Sequence, residues 1–423
     1  MYLSGSKWNL RRKRKRSNPL RIIALLLVIA ALVYFWQVYV PAVPTPFIPT
    51  PTPTRSPASF VLEAETFFEA GKLQLAAEAY QQAIKIDPRQ PAYYIELARV
   101  HMYAGNYSAA EAAARDALVL DKDSALAHAF LGWSLDFQAG YAEEGASDMM
   151  AQARTELDTA MDLNPNIPEV RAFHAEVLID SNIDNYEQAL EEARAAVALD
   201  SQSLEANRAL AYVWELTGNR DLALESYEAA RNINPNLPRL HIDIGNMLRA
   251  LNDVDGARQS YLNAVALAPT WTEPLTLLAQ LYAGVGEYGI ASQYASQAVD
   301  LDPGNARLRG NLGRMYYHNG VYDEAIAQFQ LAINGGTSPE GVPVEGLKLS
   351  GDPRVLEYYY TYGLAMAKQN LCYGPNEAVD ILSAILQLAP DDEIAVFNAE
   401  EGLVLCGELE RTATPEAASG AGS

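Results

Sequence analysis

The chain has 423 residues, of which 20% are charged, with a formal net charge of −22 and a mean hydropathy of −0.09. Eight of its 31 basic residues fall within residues 1–40, which hold no acidic residue, so the rest sets 23 basic against 53 acidic groups, a net of −30. An acidic body of this kind lacks the basic face that neutralising phosphates requires, which excludes nucleic acid as an expected partner.

Residues 1–21 form a basic segment that contains Lys7 and the run from Arg11 to Arg16, RRKRKR. Residues 22–40 are apolar apart from Gln37 and end in the aromatics Tyr34, Phe35, Trp36 and Tyr39. At about 1.5 Å per residue this stretch reaches about 28 Å, enough to cross the hydrocarbon core as a transmembrane helix, with its aromatic end at an interface. The positive charge lies on one side, and Arg55 is the first basic residue after the span. The expected orientation is therefore N-terminus cytoplasmic and everything beyond the span extracytoplasmic. Pro41, Ala42, Val43 and Pro44 offer no A-x-A cleavage site, so the span reads as a retained signal anchor. Residues 41–57, rich in Pro and Thr, cannot form a helix or central strand and read as an extended stalk of about 50 Å.

From Leu204 to Leu237 the sequence describes a helix hairpin. Leu210, Ala211 and Trp214 make the stripe of a first helix, Gly218 stops it, and Ala223, Tyr227 and Ala230 make the stripe of a second that ends before Pro235. Steps of 34 residues lead from Pro235 to Pro269 and Pro303, with matching stripes between them. In this period and in its alternation of small and large residues the chain resembles the tetratricopeptide repeat family. The resemblance covers Ser59 to Gly407 and implies an all-α solenoid, a right-handed superhelix of helix hairpins. Over residues 58–407 the pattern gives about nine repeats and a capping helix at Glu393 to Cys406, whose outward side is expected to carry Glu400 and Glu401. Loop insertions are expected at 141–150 and 335–353, and the small-residue tail 408–423 reads as disordered.

Cys372 and Cys406, the sole cysteines, sit near the ends of adjacent first helices. Outside the cytoplasm they suit a disulfide that ties the cap to the last repeat, with two buried free thiols as the alternative. His101, His128, His174 and His241 fall at packing positions, no H-E-x-x-H pair or phosphate-binding glycine loop is present, and neither metal nor cofactor is expected. No small-molecule substrate is evident, and without a non-repeat domain to hold an active site the chain reads as a binding protein and not an enzyme.

In this family the first helices line a concave face that holds peptides or partner helices. The resemblance places on it Arg99, Tyr103, Trp133, Phe137, Arg208, Tyr212, Asn246, Arg249, Gln280, Arg314, Tyr317 and Tyr360. Arg208, Arg249 and Arg314 loosely resemble the family's carboxylate clamp, without its lysine and asparagine pattern. The expected function is a membrane-anchored scaffold that binds a protein or peptide and assembles an envelope or surface complex. The alternatives are a non-catalytic part of a cell-wall or surface-polymer enzyme system and a self-assembling spacer.

Overall fold

A computed structural model describes residues 18–39, 55–142, 145–374 and 377–410, and divides the chain into two units between Arg55 and Ser56. In the first unit, helix α1 (Pro19–Tyr34) starts at an Asn18 cap, whose side chain accepts from the Leu20 amide, and continues as a π-helical turn, Phe35–Tyr39. Pro19–Val38 is long and apolar enough to cross a membrane, with a mean hydropathy of 2.3 and no buried residue. This helix begins three residues before the expected span because Pro at the first helical position, behind an Asn cap, favours starting there. The stalk lies outside the described residues, apart from its last three, as do most of the basic segment and of the tail.

The second unit is a solenoid of helix hairpins. In chain order they are α2 (Pro57–Glu69) and α3 (Leu73–Ile86), α4 (Pro91–Tyr103) and α5 (Tyr107–Leu120), α6 (Ala125–Tyr141) and α7 (Ala146–Leu163). Next come α8 (Pro168–Ser181) and α9 (Tyr186–Leu199), α10 (Leu204–Leu216) and α11 (Arg220–Ile233), α12 (Pro238–Ala250) and α13 (Val254–Leu267). Then α14 (Thr272–Gly284) pairs with α15 (Tyr288–Leu301), α16 (Ala306–His318) with α17 (Tyr322–Asn334), and α18 (Pro353–Lys368) with α19 (Ala378–Leu388), before a last helix, α20 (Glu393–Leu405). Most first helices open on Pro, as α4, α8 and α12 do, or on a polar cap such as Ser203, whose hydroxyl accepts from the Ala206 amide. Gly218 takes φ 78°, the left-handed conformation that ends α10 and lets the chain turn back.

Inside several hairpins a glycine on the first helix faces a large residue on the second: Gly132 faces Leu157, Gly245 Tyr261, Gly313 Phe329 and Gly363 Leu382. A Cβ at Gly245 would lie 2.5 Å from the ring of Tyr261, so only glycine lets α12 and α13 approach so closely. Ala211 and Ala223 leave the same kind of space for the buried Tyr227 ring.

Two expectations change. The insertion at 141–150 is mostly helix and not an extended turn: α6 and α7 run to 17 and 18 residues where their counterparts, α18 (16) and α19 (11) apart, have 13 or 14, and α7 already begins at Ala146. The first two turns of α7, ASDMMAQA, contain neither Gly nor Pro, so the helix absorbs its four extra residues as about one more turn. At 335–353 the chain forms a small antiparallel pair of strands, Gly336–Thr337 with Pro343–Val344. There Val344 is buried, the Leu347 amide donates to the Ala332 carbonyl, and Glu340 pairs with Arg309 at 2.9 Å.

Cys372 and Cys406 form a disulfide with Cα atoms 5.5 Å apart, linking the segment after α18 to the end of α20. The outward side of α20 carries Glu400 but also the exposed apolar residues Ile394, Phe397 and Leu405, so it is less polar than expected of a cap.

The solenoid also touches itself across a long sequence interval. The turn after α2 meets the turn after α11: the Asn236 side-chain amide donates to the Glu69 carbonyl at 2.8 Å, and that of Asn234 to the Phe68 carbonyl at 3.3 Å. Gly71, at φ 70°, sits in this contact, where a Cβ would come within 2.0 Å of the Asn236 carbonyl oxygen. The first five hairpins therefore close around their own inner face.

Candidate functional site

That closure decides what the inner face can do. First helices α4, α6, α8 and α10 turn one side inward, and the side chains there are paired with one another. Arg99 donates two hydrogen bonds to Glu205, at 2.6 and 3.1 Å, and Tyr103 donates to the same carboxylate at 3.3 Å. Arg208 pairs with Glu176, which also accepts from the Trp133 indole at 3.0 Å. The Arg208 guanidinium lies 4.7 Å from the Trp133 ring centre, and Trp133 stacks on Phe173 at 4.2 Å. Both arginine–carboxylate pairs join residues at least 32 positions apart.

Tyr103, Trp133 and Arg208 were expected to face a ligand; Trp133 borders none of the cavities described below, whereas Tyr103 touches the large cleft and Arg208 the smaller inner cavity from buried positions. All three are buried and form the polar interior of the curled solenoid, because the closure between Gly71 and Asn236 brings opposite walls together. Arg99 is half-buried and held by Glu205, and Arg314 is held by Glu357 at 2.9 Å. The carboxylate-clamp reading fails with them, since Arg208 and Arg314 already have carboxylate partners; Arg249 alone of the three stays exposed, without an ion pair among the described residues. Tyr317 packs its ring against His318 and Tyr322, and Tyr360 is half-buried with its hydroxyl pushed up to about 12 by burial.

The remaining expected residues border open space. Phe137, Tyr212 and Asn246 line a cavity of about 340 Å³ in the inner face, with Asp136, Asp180, Glu215 and Asp243 among its other walls. Tyr212 donates to Asp180 at 2.7 Å, Tyr227 to Glu215 at 2.7 Å, and Tyr261 to Asn246 at 2.8 Å. Burial is the main reason that the Glu215 carboxyl is raised to about 7, against the lowering effect of the Tyr227 hydrogen bond. Gln280 and Arg314 line a separate cavity of about 410 Å³ between α14, α16 and α18.

A wider opening is a cleft of about 1040 Å³ between the α4–α5 turn and the segment that enters α14. Tyr107, Tyr141 and Trp271 line it, with Met102, Gln138, Met149, Arg239 and Glu273. Tyr107 stacks on Tyr141 at 5.8 Å and lies 5.0 Å from Phe137, while Tyr141 is 67% exposed. Tyr141 and Arg239 also line the 340 Å³ cavity, so the two spaces share a wall. Sequence reasoning missed Tyr107, Tyr141 and Trp271, since each stands at or beyond a helix end where the inner stripe is not defined. The available signal was the long α6, whose extra turn carries Tyr141 over Tyr107. Among the described residues no group of three or more His, Cys, Asp or Glu is placed to hold a metal ion.

A tetratricopeptide repeat model matches residues 181–238 and 276–340, and a further TPR repeat model matches residues 64–105. Human protein O-mannosyl-transferase TMTC1 is 27% identical over 157 residues, which span 36% of this chain and only 18% of TMTC1. The human IFIT1 dimer with m7Gppp-AAAA shares the fold at a TM-score of 0.56 and 19% identity, covering 82% of this chain and 81% of that one. The APC/C hetero-tetramer Cut9-Hcn1 does so at 0.54 and 14%, covering 81% and 55%. With the 34-residue step, the stacked hairpins and the matches to repeat models all in agreement, the chain belongs to the tetratricopeptide repeat family.

Proposed function

We propose that this chain is a membrane-anchored, non-catalytic scaffold that seats a protein or peptide in the cleft bounded by Tyr107, Tyr141 and Trp271, on the extracytoplasmic side, and so assembles an envelope or surface complex. The observation that carries the reading is the cleft itself. Its aromatic rings, Tyr141 exposed and Tyr107 and Trp271 half-buried, flank the opening, and rigid rings with polar edges are the side chains that anchor partners at low entropic cost. The side is supported by the basic run before the apolar helix and by the pairing of both cysteines, which persists in oxidising compartments. Anchoring is supported by the length and hydropathy of Pro19–Val38.

Intact cells treated with a membrane-impermeant amine reagent should show labelling at Lys72, Lys85 and Lys122, and none at Lys7 or Lys13. Labelling of Lys7 with shielding of the solenoid lysines would overturn the orientation. A second reading, self-assembly into a spacer, is favoured by the exposed Ile394, Phe397 and Leu405 on α20. A native mass that rises with protein concentration, and stops rising in Phe397→Glu, would support it.

A further inference from the structure

The 340 Å³ cavity beside the cleft has a composition that the scaffold does not need. It brings together four carboxyl groups, Asp136, Asp180, Glu215 and Asp243, with the aromatic faces of Phe137 and Tyr212. Its two arginines offset them only in part: Arg208, on the wall beside Phe137, gives one nitrogen to Glu176 outside the cavity while its Nε has no partner among the described residues, and Arg239 is shared between Asp243 at 3.1 Å and Glu273 at 3.2 Å. At the floor, Asp136 is only 4% exposed and its Oδ1 accepts from no donor among the described residues, and its carboxyl lies in hydrogen-bonding contact with Asp180. A buried acceptor without a donor is costly, and two adjoining carboxyls are held together only by a proton. Burial first, and then the neighbouring Asp180, hold the Asp136 carboxyl well above the usual carboxylate range. The cavity is reached from its exposed rim at Gly140, Tyr141 and Asp180.

We infer that this cavity is a binding site for an organic cation, a guanidinium or primary ammonium that donates to Asp136 and Asp180 and lies against the rings of Phe137 and Tyr212. A planar or tetrahedral cation with several donors answers each feature at once: it supplies the donor missing at Asp136 Oδ1, offsets the uncompensated acidic charge, and is attracted to aromatic faces. Such a group can arrive on a free amine or on an arginine or lysine side chain of a peptide lying in the adjoining cleft. The second source rests on the reading of that cleft as a peptide seat.

The test is calorimetric titration of the full chain in detergent micelles with three probes: agmatine, a blocked alanine pentapeptide with arginine at its centre, and the same pentapeptide with glutamine there. The expected result is binding of the arginine peptide, with weaker binding of agmatine and none of the glutamine peptide. Asp136→Asn should weaken agmatine about thirtyfold or more, as loss of one partner of a buried charge pair does, and Asp180→Asn at the exposed rim should weaken it about threefold. Agmatine bound while neither peptide binds would keep the cation site, assign it to free amines and sink the peptide seat. Equal binding of the arginine and glutamine peptides would overturn the cation site and leave the seat standing. No binding of agmatine or the arginine peptide, or unchanged affinity in both Asn variants, would overturn the inference outright.

Discussion

Removing one partner of the Arg208–Glu176 pair should unfold the inner face locally, and removing both should not. Arg208 is 5% exposed and Glu176 1%, so Arg208→Met leaves a carboxylate in the interior with the Trp133 indole as its remaining donor. A buried charge stripped of its partner costs about 3 to 5 kcal/mol, and Glu176→Leu should cost a similar amount by leaving the guanidinium alone. The double variant loses both charges together. What remains is the unsatisfied indole N–H, worth about 1 to 3 kcal/mol, so the pair should be coupled by about 3 kcal/mol or more. Repeat solenoids unfold in neighbouring blocks, so the readout is the protection of amides in α8 and α10 by hydrogen exchange, measured on the full chain in detergent. Single variants that cost less than about 1 kcal/mol, or a double variant that costs the sum of both, would refute the view that this pair is sealed in the interior.

Three further outcomes follow from the same geometry. The folded Glu215 carboxyl titrates at about 7, above its ordinary value of 4.5, so it contributes stability fully below pH 4.5 and loses it as pH rises through 7, about 3 kcal/mol in all. Glu215→Gln keeps an acceptor for Tyr227, so it should match the parent at pH 4.5 and exceed it at pH 8 in amide protection of α10 and α11; a constant difference would contradict the burial. Reducing the Cys372–Cys406 bond reopens a loop of 34 residues and should lower the stability of α18–α20 by about 4 kcal/mol on the chain-entropy model, read as faster proteolysis after Cys→Ser exchange at both positions. Gly71→Ala should break the contact with Asn236, at about 1 to 3 kcal/mol of overpacking, and raise the radius of gyration in small-angle scattering, whereas an unchanged radius would show that the closure lies elsewhere.

The hairpins were legible because each depends on residues a few positions apart: Gly218 ends a helix, Ala211 and Ala223 leave room for Tyr227, and Pro235, Pro269 and Pro303 mark the step. The insertion at 141–150 was misread because a length excess says nothing about whether it is spent as loop or helix, and here it lengthened α6 and α7. The inner face was legible as a set of positions but not as a surface. Periodicity shows that Arg99, Trp133 and Arg208 point away from their own hairpins, yet it is blind to walls 32 to 106 residues apart that fold against each other. One signal was present: Glu176 on α8 and Glu205 on α10 stand on first helices, as Arg99 on α4 and Arg208 on α10 do, and opposite charges on facing stripes of an inner surface can pair internally. The aromatic cleft escaped because Tyr107 and Trp271 occupy turns, where packing and not helical phase decides direction.

The scaffold reading is tested most directly by placing a photoreactive phenylalanine at Tyr141 or Trp271 in the intact, membrane-embedded chain, with a third variant at Val119, which is 84% exposed and lines none of the three cavities, as the comparison. Irradiation in the native cell should join one and the same protein to positions 141 and 271 and leave it absent from position 119. Recovery of the same proteins from all three positions, or of none from the cleft, would contradict a partner seated there.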